Sequence, residues 1–146
     1  MNLLLQLSVA AGLALLATVI HGTGVVAIDR LFRREDRELR GLPLISREFG
    51  LMVPMAMCLF LLHGIEILAF ALFYMGIGAI PTLEGALFFS ANAYTTLGGN
   101  DGHLAGWRLV GAFEGLVGFL LIGWSAAIFV TEMNRVLRRK GERPWP

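Results

Sequence analysis

Residues 85–124 constrain this chain most. They read GALFFSANAYTTLGGNDGHLAGWRLVGAFEGLVGFLLIGW: a short apolar segment, a Gly-rich stretch and a long apolar run in direct succession. Crossing a hydrocarbon layer of about 30 Å takes roughly 20 apolar residues in a helix. The segment from Thr82 to Tyr94 is too short for that, and it meets a Gly-rich stretch that cannot stay helical. Irregular backbone at membrane depth is tolerated only where protein buries it or where it lines a watery cavity. A short helix followed by exposed backbone carbonyls is how a cation-selective filter is built.

The rest of the chain fits a polytopic membrane protein. Its 146 residues are 56% apolar with a mean hydropathy of +0.69, which excludes an ordinary soluble domain. Three segments are long enough to cross: Leu3 to Ile28, Phe49 to Gly76 and Trp107 to Thr131. The predicted organisation is a peripheral span over 1–28, a basic loop over 29–48, a pore unit over 49–131 and a tail over 132–146. Pro54 is expected in the first turns of the second span, where a missing N–H costs little. Pro81 precedes the short segment, Thr82 is its expected N-cap, and Glu84 lies in its first turn against the positive helix end.

Orientation follows from Lys and Arg alone. The 29–48 segment carries Arg30, Arg33, Arg34, Arg37, Arg40 and Arg47; the tail carries Arg135, Arg138, Arg139, Lys140 and Arg143. The connection before Arg108 carries none. Both basic segments are therefore expected on the cytoplasmic side, with the N-terminus and the Gly-rich stretch outside. Met1-Asn2 offers no positive n-region, so the first span is expected to be retained rather than cleaved. The tail is expected to hold no regulatory domain. The alternating signs of 29–48 pair Arg34 with Glu38 and Asp36 with Arg40, which is compatible with an interfacial helix or with a solvated loop. Ala10, Ala11, Gly12, Ala14 and Ala17 of the first span serve either close helix packing or a lipid-facing surface. Cys58 stands alone, so no disulfide forms within the chain. No zinc-ligand spacing, Walker loop or nucleophile elbow occurs, and the basic residues lack interleaved aromatics. Neither an enzyme nor a nucleic-acid binder is expected.

Several positions resemble the potassium-channel superfamily, in particular small bacterial ion-channel proteins with few spans. They are Phe88-Phe89-Ser90, Tyr94-Thr95-Thr96-Leu97-Gly98, Asp101, Trp107-Arg108-Leu109, Glu114, Gly118 and Gly123-Trp124-Ser125, with His63-Gly64-Ile65-Glu66-Ile67 upstream. The resemblance covers roughly residues 50–130. It implies an all-α membrane protein with three transmembrane helices, a re-entrant pore helix and a filter loop per subunit. It further implies a homotetramer in the bacterial plasma membrane, since each chain supplies one loop. The implied function is passive conduction of monovalent cations, with bound K+ or Na+ and no other cofactor.

The family's filter reads T-V-G-Y-G-D; in register this chain reads Thr96-Leu97-Gly98-Gly99-Asn100-Asp101, preceded by Thr95. The resemblance places the cation at the backbone carbonyls of Thr96, Leu97 and Gly98. Gly98 supplies the left-handed backbone, and Asn100 tolerates that region best after glycine. Gly99 stands where an aromatic residue braces the outer filter. Relaxed K+/Na+ selectivity is the expected consequence; a K+-selective pore and a non-conducting scaffold subunit are the alternatives. Asn92 and Tyr94 are expected to support the filter from behind, with Asn92 holding Asp101 or a filter N–H, or merely its own backbone. Gly118, Ile122, Ser125 and Phe129 recur at i, i+4, i+7 and i+11, one helix face. The resemblance turns that face to the cavity, with Gly118 at the family's hinge; close helix packing is the competing use of such glycines. Arg108 and Glu114 are expected to pair around the outer pore, and Glu66 is expected near the outer end of its span. His21 and His63 raise a bis-imidazole haem, but their depths should differ by roughly 9 Å at the helical rise. His103 is expected outside the filter.

Overall fold

The computed structural model describes residues 2–38, 44–98, 104 and 106–138, with side chains described for 2–34, 50–98, 104 and 106–135. Four helices form: α1 Leu3–Glu38, α2 Leu44–Gly76, α3 Leu83–Tyr94 and α4 Arg108–Arg138. No strand occurs among the described residues. Three stretches are long and apolar enough to cross a membrane: Leu3–Arg34, Gly50–Gly76 and Arg108–Arg135. The all-helical reading with three candidate spans and one short helix therefore holds.

Two boundaries differ from expectation. Residues 29–38 continue α1 instead of forming a loop or a separate interfacial helix. No Gly or Pro interrupts 25–40, and Arg33 donates to Asp29 one turn earlier at 2.7 Å, a pair that supports the helix. The Arg34–Glu38 and Asp36–Arg40 pairs lie outside the described side chains. Likewise α2 starts at Leu44, so Pro54 falls inside the helix rather than in its first turns. There it removes one helical hydrogen bond.

Contacts at both ends fix the arrangement. Leu109 N donates to Gln6 Oε1 at 3.4 Å, which brings the start of α1 beside the start of α4. At the opposite end Phe32, Leu51 and Met55 cluster with Phe129. Arg33, Arg34 and Arg135 thus share that end. α1 packs through Ala10, Ala14, Ala17 and His21, spaced i, i+4, i+7 and i+11. Ala11 and Gly12 are exposed, so only part of the small-residue run serves packing.

α3 runs antiparallel to the C-terminal half of α2. Its Phe89 ring meets Tyr74 edge-on with centroids 5.1 Å apart. Ser90 Oγ donates to the Ile67 carbonyl at 2.9 Å, and Tyr94 reaches His63. The His63 level is about 20 Å along α2 from Gly76 at the helical rise. The chain is back beside Phe73 by Trp107, with ring centroids 5.4 Å apart. Phe70, Tyr74, Ile80, Phe89, Leu104 and Val110 fill the core between these segments.

Candidate functional site: a strained turn and a buried polar network

The entry end of α3 is capped as expected. Thr82 is its N-cap and accepts from Gly85 N at 3.2 Å, with Glu84 in the first turn. The exit end winds into a capping turn. Thr96 N donates to Ala93 O and Leu97 N to Asn92 O, both at 3.0 Å, and Gly98 N also reaches Asn92 O at 3.2 Å. This pair of bonds, with a left-handed residue between them, is the Schellman arrangement. That residue is Thr96, at φ 60°. A β-branched side chain there is a genuine outlier, costing on the order of 1–3 kcal/mol. Gly98 is also left-handed, at φ 75°. The sequence reading assigned that region to Gly98 and Asn100 and missed Thr96, because Gly or Asn ordinarily fills such a cap. Beside the turn lies a cleft of about 430 Å³ between α3 and α4, lined by Phe89, Ala93, Thr96, Gly98, Gly115 and Phe119 among others. Gly99, Asn100, Asp101 and His103 lie outside the described residues, so the position of the missing aromatic brace falls there too.

Asn92 does not reach behind the turn with its amide nitrogen. Nδ2 donates to Phe88 O at 2.7 Å within its own helix. The residue that ties the turn to the rest of the molecule is Tyr94, fully buried. Its hydroxyl contacts the Glu66 carboxylate and lies 2.9 Å from His63 Nδ1. His63 Nδ1 is 3.1 Å from Glu66 Oε2, and His21 Nδ1 is 2.9 Å from Glu66 Oε1. Ser125 Oγ is 3.4 Å from the other nitrogen of His21.

This network corrects three expectations. Glu66 is fully buried in mid-span rather than close to outer water. Ser125 faces His21 on α1 rather than a central cavity. His21 and His63 share one depth, with ring centroids 5.4 Å apart. The candidate spans show why: His21 lies 13 residues before Arg34 and His63 lies 13 residues after Gly50. The expected offset in depth is absent because α1 runs on past Ile28. The Glu66 carboxylate meets both rings, so no slot for a haem separates them.

A second carboxylate is buried nearby. Glu114 accepts from Tyr74 at 2.7 Å and from Ser90, whose hydroxyl also reaches the Ile67 carbonyl. This replaces the expected pairing with Arg108. Six residues turn a helix by about 240°, so Arg108 is exposed while Glu114 points into α2 and α3. Tyr74 had no sequence signal beyond being aromatic.

The expected cavity face of α4 is divided. A Cβ on Gly118 would overlap the Tyr94 carbonyl oxygen and lie 2.8 Å from Tyr94 Cγ. Gly118 is thus a close-packing position against α3. Phe129 packs with Ile128 on the Phe32 cluster, while Ile122 is exposed. Much of α4 is exposed, Leu120, Ile122, Trp124 and Ala127 included, and one uncovered stripe runs through Leu116, Phe119, Gly123, Ala126 and Val130. Against protein families, curated proteins and solved structures, the chain shows no match.

Proposed function

We propose that this chain is one subunit of a homotetrameric cation channel of the potassium-channel type, seated in a bacterial plasma membrane. One observation carries the reading. α3, too short to cross, descends beside α2 from Tyr74 to His63 and ends in a strained turn, and the chain has returned beside Phe73 by Trp107. A path that enters and leaves at one face suits a re-entrant pore helix with its filter. Four copies would bring four such turns to one axis, with the carbonyls of Thr96, Leu97 and Gly98 replacing an ion's water. The uncovered α4 stripe is then free to line the path below. Arg33, Arg34 and Arg135 mark the cytoplasmic end, leaving the turn reachable from outside.

The capping turn itself favours a second reading. Its amides at Leu97 and Gly98 are tied to the Asn92 carbonyl, a wound rather than an extended path, which suits a non-conducting scaffold subunit. Cation flux into liposomes, with the mass of the detergent-solubilised complex, separates the two. Flux from a complex of four chains is the expected result. A dimer or trimer, or silent liposomes, removes the channel reading.

A further inference from the structure

We propose that His21, His63 and Glu66 bind one divalent transition-metal ion per chain, with the Tyr94 phenol donating to the Glu66 carboxylate from the outer shell. The group is built from α1, α2 and α3, so three separate helices aim their donors at one point. The ligand atoms of the two histidines and the carboxylate all lie within 4.8 Å of one another.

The spacing suits coordination. Zinc-class ions hold imidazole nitrogen and carboxylate oxygen at about 2.0–2.2 Å, so neighbouring donors on one ion stand roughly 3.0–3.4 Å apart. The two imidazole-to-carboxylate separations are 2.9 and 3.1 Å, one to each oxygen of Glu66. The carboxylate therefore sits between the rings, and the ion would take one nitrogen from either side. Tyr94 O, His63 Nδ1 and Glu66 Oε2 also close a triangle, with Tyr94 O 2.9 Å from His63 Nδ1 and in contact with the carboxylate. Hydrogen bonds satisfy only two edges of that triangle, since the phenol and the imidazole bring one proton each. An ion taking the His63 Nδ1–Glu66 Oε2 edge leaves the phenol to donate to the bound carboxylate from the outer shell.

The chemistry selects the ion class. Two imidazoles with one carboxylate suit Zn, Fe, Ni or Cu, whereas all-oxygen sites suit Mg and Ca. The far nitrogen of His21 faces Ser125 Oγ at 3.4 Å, the outer-shell contact that orients a ligating ring. A carboxylate inside a span needs positive charge beside it, and a dication supplies it directly. His21 and Glu66 are fully buried, while His63 keeps 16% of its side chain exposed. The site does not depend on the channel reading, because its measurements need no conduction.

Tag-free protein in detergent, stripped with a chelator, is titrated with Co2+. Ligand-field absorption saturating at one cobalt per chain, and displaced by Zn2+, is the expected result. After Zn2+ loading and gel filtration, metal analysis should give one zinc per chain. That content should fall about tenfold or more in His21→Gln and in Glu66→Gln, and stay unchanged in His103→Gln. Absence of cobalt bands from the unaltered protein overturns the site, as does zinc retained by both variants. The cobalt spectrum reads the native chain, so it decides the matter even where a variant fails to fold.

Discussion

Tyr94, the last residue of α3, meets Glu66 in the middle of α2 through its hydroxyl. The contact ties the start of the capping turn to a carboxylate that is itself held by His21 of α1 and His63 of its own helix. Removing that hydroxyl leaves a buried acceptor with one partner fewer. Such losses cost about 1–3 kcal/mol. Tyr94→Phe keeps the ring against Gly118, so its thermal midpoint in detergent should fall by the hydroxyl's share alone. Adding Glu66→Gln should cost less than the two single changes summed, as expected of contacting residues. Strict additivity would mean that the two side chains do not act on each other.

Gly118 and Gly123 on α4 separate packing from flexibility. A methyl at Gly118 meets backbone of Tyr94, whereas a methyl at Gly123 meets nothing within 4 Å. Gly118→Ala should therefore destabilise by about 1–3 kcal/mol through overpacking. Gly123→Ala should be neutral to stabilising, by up to about 1 kcal/mol, since alanine is the better helix former. Equal effects of the two changes on thermal unfolding would show that Gly118 is not a contact position.

The left-handed Thr96 stores strain. Thr96→Asn keeps a polar side chain and relaxes the backbone, so stability should rise by about 1 kcal/mol. In the channel reading it also removes the hydroxyl from the innermost ion position, so flux should change while the fold tightens. A fall in the thermal midpoint would indicate that the threonine makes contacts worth more than its conformation costs.

In the channel reading, the uncovered stripe of α4 lines the path of ions and water. In a conducting complex, a cysteine at Ala126 should be modified by a small thiol reagent with loss of current. One at Ser125, which is buried against His21, should react far more slowly. Faster block at Ser125 would restore the face inferred from the i, i+4, i+7 spacing.

Selectivity tests the Gly99-Asn100 pair. In the channel reading, the pore should discriminate weakly between sodium and potassium, and Gly99→Tyr with Asn100→Gly should sharpen potassium preference by bracing the carbonyl rings. Bi-ionic reversal potentials measure this. A native pore already as selective as the double variant would sink the inference from Gly99.

Much of this was readable in the residues. Hydropathy located the three long helices, and Pro81, Thr82 and Glu84 announced α3 with its cap. Glu66, Glu114, His21 and His63 each stood out as polar groups in apolar spans. What the sequence hid was their company. Partner choice depends on relative depth, and α1 runs on to Glu38 rather than ending at Ile28. Aligning the spans at Arg34 and Gly50 would have put both histidines level. Rotation was the second gap. The stripe through Gly118, Ile122, Ser125 and Phe129 is a true helical face, but periodicity cannot say which neighbour it meets, and three neighbours divide it.

The Glu66 cluster also bears on how the chain is made. α1 leaves the ribosome first and carries His21 into the bilayer before α2 arrives with an acid at mid-span. The carboxylate thus meets a partner as it enters, and Tyr94 completes its shell only when α3 folds back. α1 in this sense escorts α2 through insertion. A chain translated without α1 would leave Glu66 with only His63 of its own helix until Tyr94 arrives.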